Sequence, residues 1–269
     1  MAQSVGSAER ESLTHLFLEA ALAAGGVVMR HYRNLSGVET KSDNSPVTAA
    51  DREAEAIILE YLAKGASRFP VVAEESVSAG RIPQLDGDAF ILVDPIDGTK
   101  EFIQSRTDFT VNIALIDNGQ PLLGVVFCPA LDTIYWSDGE KAWSGSVKAG
   151  EGVDAIADRK ALRVRPVPEK LTAVASRSHR DEKTDAFLSE NGITDCVSRG
   201  SSLKFCVVAE GEADIYPRFG PTMEWDIGAG HAVLSGAGGK VVGEDGSAFV
   251  YGKQDAGFRN SAFIAYGGR

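Results

Sequence analysis

What this 269-residue chain has little of narrows its chemistry first. It carries 3 cysteines, Cys128, Cys196 and Cys206. The count is odd and no two form a Cys-x-x-Cys, which speaks against a disulfide framework or structural zinc site and for a reducing cytoplasm. Its 4 histidines, His15, His31, His179 and His231, make no His-Glu-x-x-His or His-x-His pair. No Gly-Lys-Ser/Thr step exists, so there is no Walker loop, and no Gly-x-Ser-x-Gly marks a nucleophile elbow. Lys and Arg number 27 against 38 Asp and Glu, a formal net charge of -11. That leaves no basic stripe for a nucleic-acid polymer or an anionic membrane. No charged-then-apolar leader is read at the N-terminus, and no apolar run approaches about 20 residues. The sequence therefore predicts neither a signal peptide nor a membrane span.

What is present is ordinary globular material. Hydrophobic residues make up 43%, ample for a core, and the length fits one large domain or two intimately packed halves. Residues 8–33 have an amphipathic helical period through Leu13, Leu16, Phe17, Ala20, Ala24 and Val27. Asp43 to Pro46 reads as a turn, and Thr48 as the N-cap of a helix with Asp51 in its first turn. Ala54, Ile57, Ile58, Tyr61 and Leu62 give that helix its buried stripe. "FPVVAEES" reads as a strand ending in two glutamates, and "FILVD" as a strand ending at Asp94. Asn118-Gly119 joins two more strands as a hairpin, and "DTIYWSDGEKAW" continues the meander. Strands that follow one another without helices predict an α+β fold with antiparallel sheets flanked by helices. Periodicity fades over 147–168, which places a division between an N-terminal half, 1–158, and a C-terminal half, 159–269. The second half alternates: strand "LTAVAS", helix "RDEKTDAFLSEN" with Gly192 as its C-cap, helix "SSLKFCVVAEG", strand "ADIYP", and a helix from Asp226 that ends in glycines.

Four acidic residues stand at the mouths of these elements: Glu74, Asp94, Asp97 and Asp226. Hard divalent cations take oxygen ligands, often one or two carboxylates plus water and a substrate phosphate. Asp94 and Asp97, three apart around Pro95, can converge on one point, and the Ile96 carbonyl between them offers another oxygen. Gly98 lets a ligand approach its N–H closely, and Thr99 adds a hydroxyl and a second N–H at what reads as a helix start. The same Asp-Pro-Ile-Asp-Gly stretch is also good turn chemistry, Asp226 a good helix N-cap, and Asp51 ordinary first-turn charge. Two adjacent glutamates at a strand end tip the balance, since they are costly unless solvated or bound to something.

"VVAEES", "LVDPIDGTKEF" and "EWDIGAGHAVLSGAGG", with "SPVTAADREAE" upstream, resemble in order the signatures of the inositol monophosphatase superfamily. Lys100-Glu101-Phe102, "ASRSHR" and "GSSLKFCVVAEGEADIYPRFGPTMEWD" are most similar to its 3′(2′),5′-bisphosphate nucleotidase branch. The resemblance implies a layered αβαβα sandwich and hydrolysis of adenosine 3′,5′-bisphosphate to AMP and phosphate. It implies two or three Mg²⁺ ions held by Glu74, Asp94, the Ile96 carbonyl, Asp97 and Asp226, and in many relatives lithium inhibition. Thr99 with Asp51 and Glu74 would serve the attacking water, and Gly98 and Thr99 would hold phosphate. The substrate would be met by Glu74, Ile96, Asp97, Gly98, Thr99, Lys100, Ser178, Arg218 and Asp226, with Ser201 and Lys204 as further candidates. Inositol phosphatases place an acid shortly before the Trp-Asp pair; this chain has Arg218, which suits a second phosphate better than a polyol. A phosphatase of inositol 1-phosphate or another sugar phosphate is the alternative, and a non-catalytic metal-binding module a third reading. Trp225, Phe102 and Tyr216 are expected in the core. A cytoplasmic monomer or homodimer acting on a small phosphate monoester completes the expectation.

Overall fold

Small side chains set the first contact of the fold. The computed structural model describes residues 5–33, 39–40, 46–47, 49–85, 87–176 and 181–268. Helix α1 (Ser7–Tyr32) buries Ala20, Ala21, Ala24 and Gly25 on one side. At Gly25 a Cβ would fall 2.3 Å from the Phe127 ring, so the helix lies close against the sheet below. By length and composition α1 could cross a membrane, with a mean hydropathy of 1.5 over 18 residues. Here 61% of that window is buried inside the fold, where its apolar side chains build the core.

Two two-residue strands, β1 (Glu39–Thr40) and β2 (Pro46–Val47), pair antiparallel before α2 (Ala49–Gly65). Then come β3 (Val71–Ala73), α3 (Glu74–Ser78), β4 (Ala89–Asp97), α4 (Thr99–Ile103), β5 (Thr110–Asp117), β6 (Gln120–Cys128), β7 (Thr133–Ser137), β8 (Ala142–Ser146) and β9 (Ala157–Ala161). Strands β3 to β9 form one sheet in chain order, antiparallel except for the β3–β4 pair. The expected hairpin is there: Asn118 and Gly119 have φ of 50° and 70°, the left-handed pair of a type I′ turn. Strand β9 pairs with β8 and straddles position 158.

The remainder is β10 (Thr172–Ser176), α5 (Glu182–Glu190), β11 (Asp195–Arg199), α6 (Leu203–Ala209), β12 (Ile215–Arg218), α7 (Glu224–Gly236), β13 (Lys240–Gly243) and β14 (Phe263–Tyr266). Its sheet runs β11-β10-β12-β14-β13. It is evenly mixed rather than mostly antiparallel: β10 lies parallel to β11 and β12, and β14 antiparallel to β12 and β13. The helices between β10, β11 and β12 account for this, because parallel neighbours need a crossover.

Three apolar cores hold five layers together, the second lying on both sides of the central helices α6 and α7. One joins α1 and α2 to the first sheet through Phe17, Ile58 and Ile113. A second lies between the sheets, where Leu92, Ala114 and Val126 meet Phe205, Val233 and Phe263 of the second half. The third sets Leu188 of α5 against Ala173, Ile215 and Ile264. The order is helix, sheet, helix, sheet, helix, as the family resemblance implied. Trp225, Phe102 and Tyr216 are buried as expected.

Candidate active site

Strand β4 does not stop at Asp94; it continues to Asp97 with a register shift between them. Asp94 faces Asn112 and Asp97 faces Thr110, so three steps along β4 match two along β5. Residues three apart on a regular strand point to opposite faces. The one extra residue of this bulge cancels that, and both carboxylates leave the sheet on the side of Asn112 and Thr110. Pro95 falls inside the irregular step, where its missing N–H breaks no ladder bond. Asp94 is buried, and its Oδ1 accepts the Ile96 N–H at 3.0 Å.

Gly98 then turns the chain with φ 93° and serves as N-cap of α4. A Cβ there would meet the Asp108 carbonyl at 3.1 Å. The left-handed backbone, rather than ligand access alone, demands glycine. The Thr99 hydroxyl lies 3.2 Å from the Ile96 carbonyl oxygen and 3.4 Å from Asp51 Oδ1. Asp51 is buried in the first turn of α2. Thr48 and residues 43–45 of the expected turn are outside the described residues, and Pro46, expected to close that turn, lies in β2 instead.

Glu74 does not end a strand as the sequence suggested. It opens α3, because β3 closes at Ala73. Asp226 sits at the third position of α7, which starts two residues earlier than expected, at Glu224. Its Oδ2 accepts the Met223 N–H at 2.8 Å, so it caps the helix while still lining the cavity.

The cavity between the halves has a volume of about 550 Å³. Its walls include Glu74, Asp97, Gly98, Thr99 and Asp226, together with the cations Lys100, Lys204 and Arg218. Asp94 is not among the walls but is buried close to Glu74, Asp97 and Asp226, and Ser201 and Tyr216 also line the cavity. Ser178 and His179 are outside the described residues, so the structure does not place them.

Electrostatics here are those of crowded acids. Burial, then the charges of Glu74, Asp97 and Asp226, push the Asp94 carboxyl well above the usual carboxylate range. Burial, Asp97 and Glu74 do the same to Asp226, against the opposing pull of the Met223 N–H and Arg218. Among the described residues no three such side chains already close into a metal shell. A hard divalent ion does not need that, since it keeps several waters and takes few carboxylates. The donor set is all oxygen, and its mutual repulsion is what a cation relieves, so the residues fit such an ion.

Sequence reasoning missed the frame behind these ligands. Ser201, at φ 52°, donates its hydroxyl to Asp97 Oδ2 at 2.7 Å and lies 2.5 Å from Thr110 Oγ1. Asn112 Nδ2 donates to Ser202 Oγ at 3.0 Å, and the Ser202 hydroxyl donates to the Asp226 carbonyl at 2.5 Å. The signal was available: Thr110 and Asn112 are polar residues two apart in a strand that is otherwise apolar up to its closing Asp117, hence on one face. Lys204 is 6% exposed and donates to the Ser201 carbonyl at 2.6 Å. Burial lowers its pKa to about 8 against the opposing charge of Asp97. Asp181, the N-cap of α5, also lines the cavity and went unremarked.

Comparison with known proteins follows the same lines. The model of the Inositol monophosphatase family matches residues 9–264. A protein of Salmonella typhimurium named 3′(2′),5′-bisphosphate nucleotidase CysQ is 43% identical over 247 residues, covering 91% of this chain and 96% of that one. Its counterpart of the same name in Buchnera aphidicola is 37% identical over 92% of this chain and 91% of its own. Among solved structures, CysQ of Bacteroides thetaiotaomicron superposes with a TM-score of 0.81 at 35% identity, covering 96% of this chain and 98% of its own. An IMPase of Thermotoga maritima gives 0.71 at 26%, covering 93% and 90%.

Proposed function

Because this chain belongs to the inositol monophosphatase family, we propose that it is a Mg²⁺-dependent phosphatase removing the 3′-phosphate of adenosine 3′,5′-bisphosphate to give AMP. The observation that carries the substrate reading is the mixed lining of one cavity. Glu74, Asp97 and Asp226 share it with Lys100, Lys204 and Arg218. A substrate with one phosphate to cleave and a second to be held suits both sets. A second phosphate suits the buried Lys204 and the half-buried Arg218 of that wall better than a polyol does. The volume also suits a mononucleotide.

Glu74, Asp94, the Ile96 carbonyl, Asp97 and Asp226 would hold the divalent ions. When bound, those ions neutralise the phosphate oxygens and acidify the attacking water. The chain's own groups do the rest. Gly98 and Thr99 donate backbone N–H bonds to the phosphate, from helix positions with no intrahelical partner. The Thr99 hydroxyl, backed by Asp51, accepts a hydrogen bond from water and orients its lone pair on phosphorus. The new P–O bond forms as the bond to the 3′-oxygen breaks; the water proton passes by way of Thr99 toward Asp51, a solvent water gives the departing 3′-oxygen the proton that makes the AMP hydroxyl, and Asp51 returns its proton to solvent. Lys204, Arg218 and Lys100 hold the remaining phosphate. The two halves, 1–158 and 159–269, each contribute one side of the site, in a cytoplasmic monomer or homodimer.

Phosphate release in Mg²⁺ tests this with adenosine 3′,5′-bisphosphate, inositol 1-phosphate and fructose 1,6-bisphosphate. The nucleotide is expected to win by at least about tenfold in kcat/KM, and Asp94→Asn to lose about 10²-fold or more, the scale of removing one preorganised electrostatic group. Preference for inositol 1-phosphate would overturn the substrate reading and leave the metal reading standing.

A further inference from the structure

One buried acid outside the cavity makes two of the shortest polar contacts near it. Glu55 lies on α2, one turn after Asp51 and therefore on the same face of that helix. It is 3% exposed. Its Oε2 accepts the Glu75 N–H at 2.7 Å, and its Oε1 accepts the Ser76 hydroxyl at 2.6 Å. Arg81 donates to Ser76 Oγ at 3.3 Å, which leaves the Ser76 hydrogen directed at Glu55. Helix α3 opens at Glu74, and its own N-cap, Ala73, has no side-chain bond to offer. The first-turn N–H groups of a helix need an acceptor from elsewhere. Glu55 supplies it from a neighbouring helix, so it caps α3 in trans and fixes where the turn carrying Glu74 begins.

We propose that Glu55 is a positioning residue that locks Glu74 for metal binding and ties its turn to the helix bearing Asp51. This rests on the reading of Glu74 as a metal ligand. Glu55 itself touches neither substrate nor ion. Residues that orient metal ligands typically change affinity by about 10–100-fold when removed. A group that only holds the fold together would lower stability and leave the affinity of the folded fraction alone.

Calorimetric titration of the full chain with Mg²⁺ separates these roles, with kcat and KM measured at saturating Mg²⁺ and the melting temperature recorded. Glu55→Gln keeps the shape but sets an NH₂ against a donor. It is expected to weaken Mg²⁺ binding by about tenfold or more, with the substrate KM at saturating Mg²⁺ within about threefold. Ser76→Ala attacks the same contact from the other side and should weaken binding by a few fold. If both act through one contact, the double variant is no worse than Glu55→Gln alone. Mg²⁺ affinity in Glu55→Gln within twofold of the parent overturns the proposal, as do strictly additive losses in the double variant. Should Glu55→Gln fail to fold, Ser76→Ala alone decides, and parental affinity in it overturns the proposal. Glu74→Gln is the control. If it also binds Mg²⁺ as the parent does, the metal reading fails and this one with it. If Glu74→Gln loses binding while Glu55→Gln keeps it, only the positioning role falls.

Discussion

His231 sits on α7, buried, with its Nδ1 2.9 Å from the Tyr251 hydroxyl. Burial drives its pKa from 6.5 down to about 3. Above 6.5 the ring is neutral in both folded and unfolded chains and contributes no pH dependence. Between 6.5 and about 3 the unfolded chain gains a proton that the folded one refuses, so stability falls as pH falls. The slope from this one group approaches about 1.4 kcal/mol per pH unit in that window. Urea unfolding at pH 7.5, 6 and 5 should show the loss, and His231→Gln should flatten it by that slope. Equal slopes in the two proteins would refute it. At this scale the metal-ligand candidates were legible through the adjacent Glu74 and Glu75 and through the family resemblance, because the Asp-Pro-Ile-Asp-Gly stretch alone is equally good turn chemistry. Their supports were not. Ser201 lies 104 residues beyond the Asp97 it bonds, and no spacing rule joins two such positions. Glu55 carries no signal of its own in the sequence, and its role shows only in its partners on α3.

Among the elements, α7 carries glycines inside a helix, where propensity alone disfavours them. Gly228 and Gly230 lie inside it, where glycine is unfavourable by about 1 kcal/mol each relative to alanine. Close packing explains them: a Cβ on Gly230 would fall 2.5 Å from the Phe205 ring, and one on Gly228 2.9 Å from Leu92. The facing strand yields too, since a Cβ on Gly124 of β6 would meet the Ala229 carbonyl at 2.5 Å and Ala232 at 2.7 Å. Both are in the helix that carries Asp226, and the carbonyl is backbone. Gly124→Ala therefore has to move α7. Overpacking of this kind costs about 1–3 kcal/mol, and the displaced Asp226 should bind Mg²⁺ several-fold more weakly. Melting temperature and Mg²⁺ titration check the two effects separately; a stability loss with parental Mg²⁺ affinity would show that α7 shifts without disturbing its N-terminus. The hairpin was legible because Asn-Gly selects one turn type. The bulge in β4 was not. Pro and Asp alone read as a strand end, and only the register against β5 shows the strand resuming at Asp97.

On the scale of the whole molecule, the order of strands foretold an α+β fold with sheets flanked by helices, while the five-layer order came only from the family resemblance. The mixed order of the second sheet was not foreseeable, since pairing between β10 and β12 depends on contacts distant in sequence. The same architecture sets how the molecule responds to metal. Asp94 and Asp97 come from the first sheet, Glu74 from the turn after β3, and Asp226 from a helix of the second half packed on that sheet. On the proposed reading, an ion held by them would bridge both halves and bind only the folded chain. Such a ligand stabilises by mass action, about 2.7 kcal/mol when its concentration is 100 times Kd. For a chain of this size that raises the melting temperature by roughly 5–10 °C. Scanning calorimetry in Mg²⁺ against EDTA should show that rise, and Asp94→Asn should abolish it. The net charge of -11 invites a plainer account, that any cation screens the chain's self-repulsion. Sodium chloride at matched ionic strength separates the two. Screening predicts equal shifts in both salts and no dependence on Asp94, whereas a site predicts a shift confined to the divalent ion and lost with that one carboxylate.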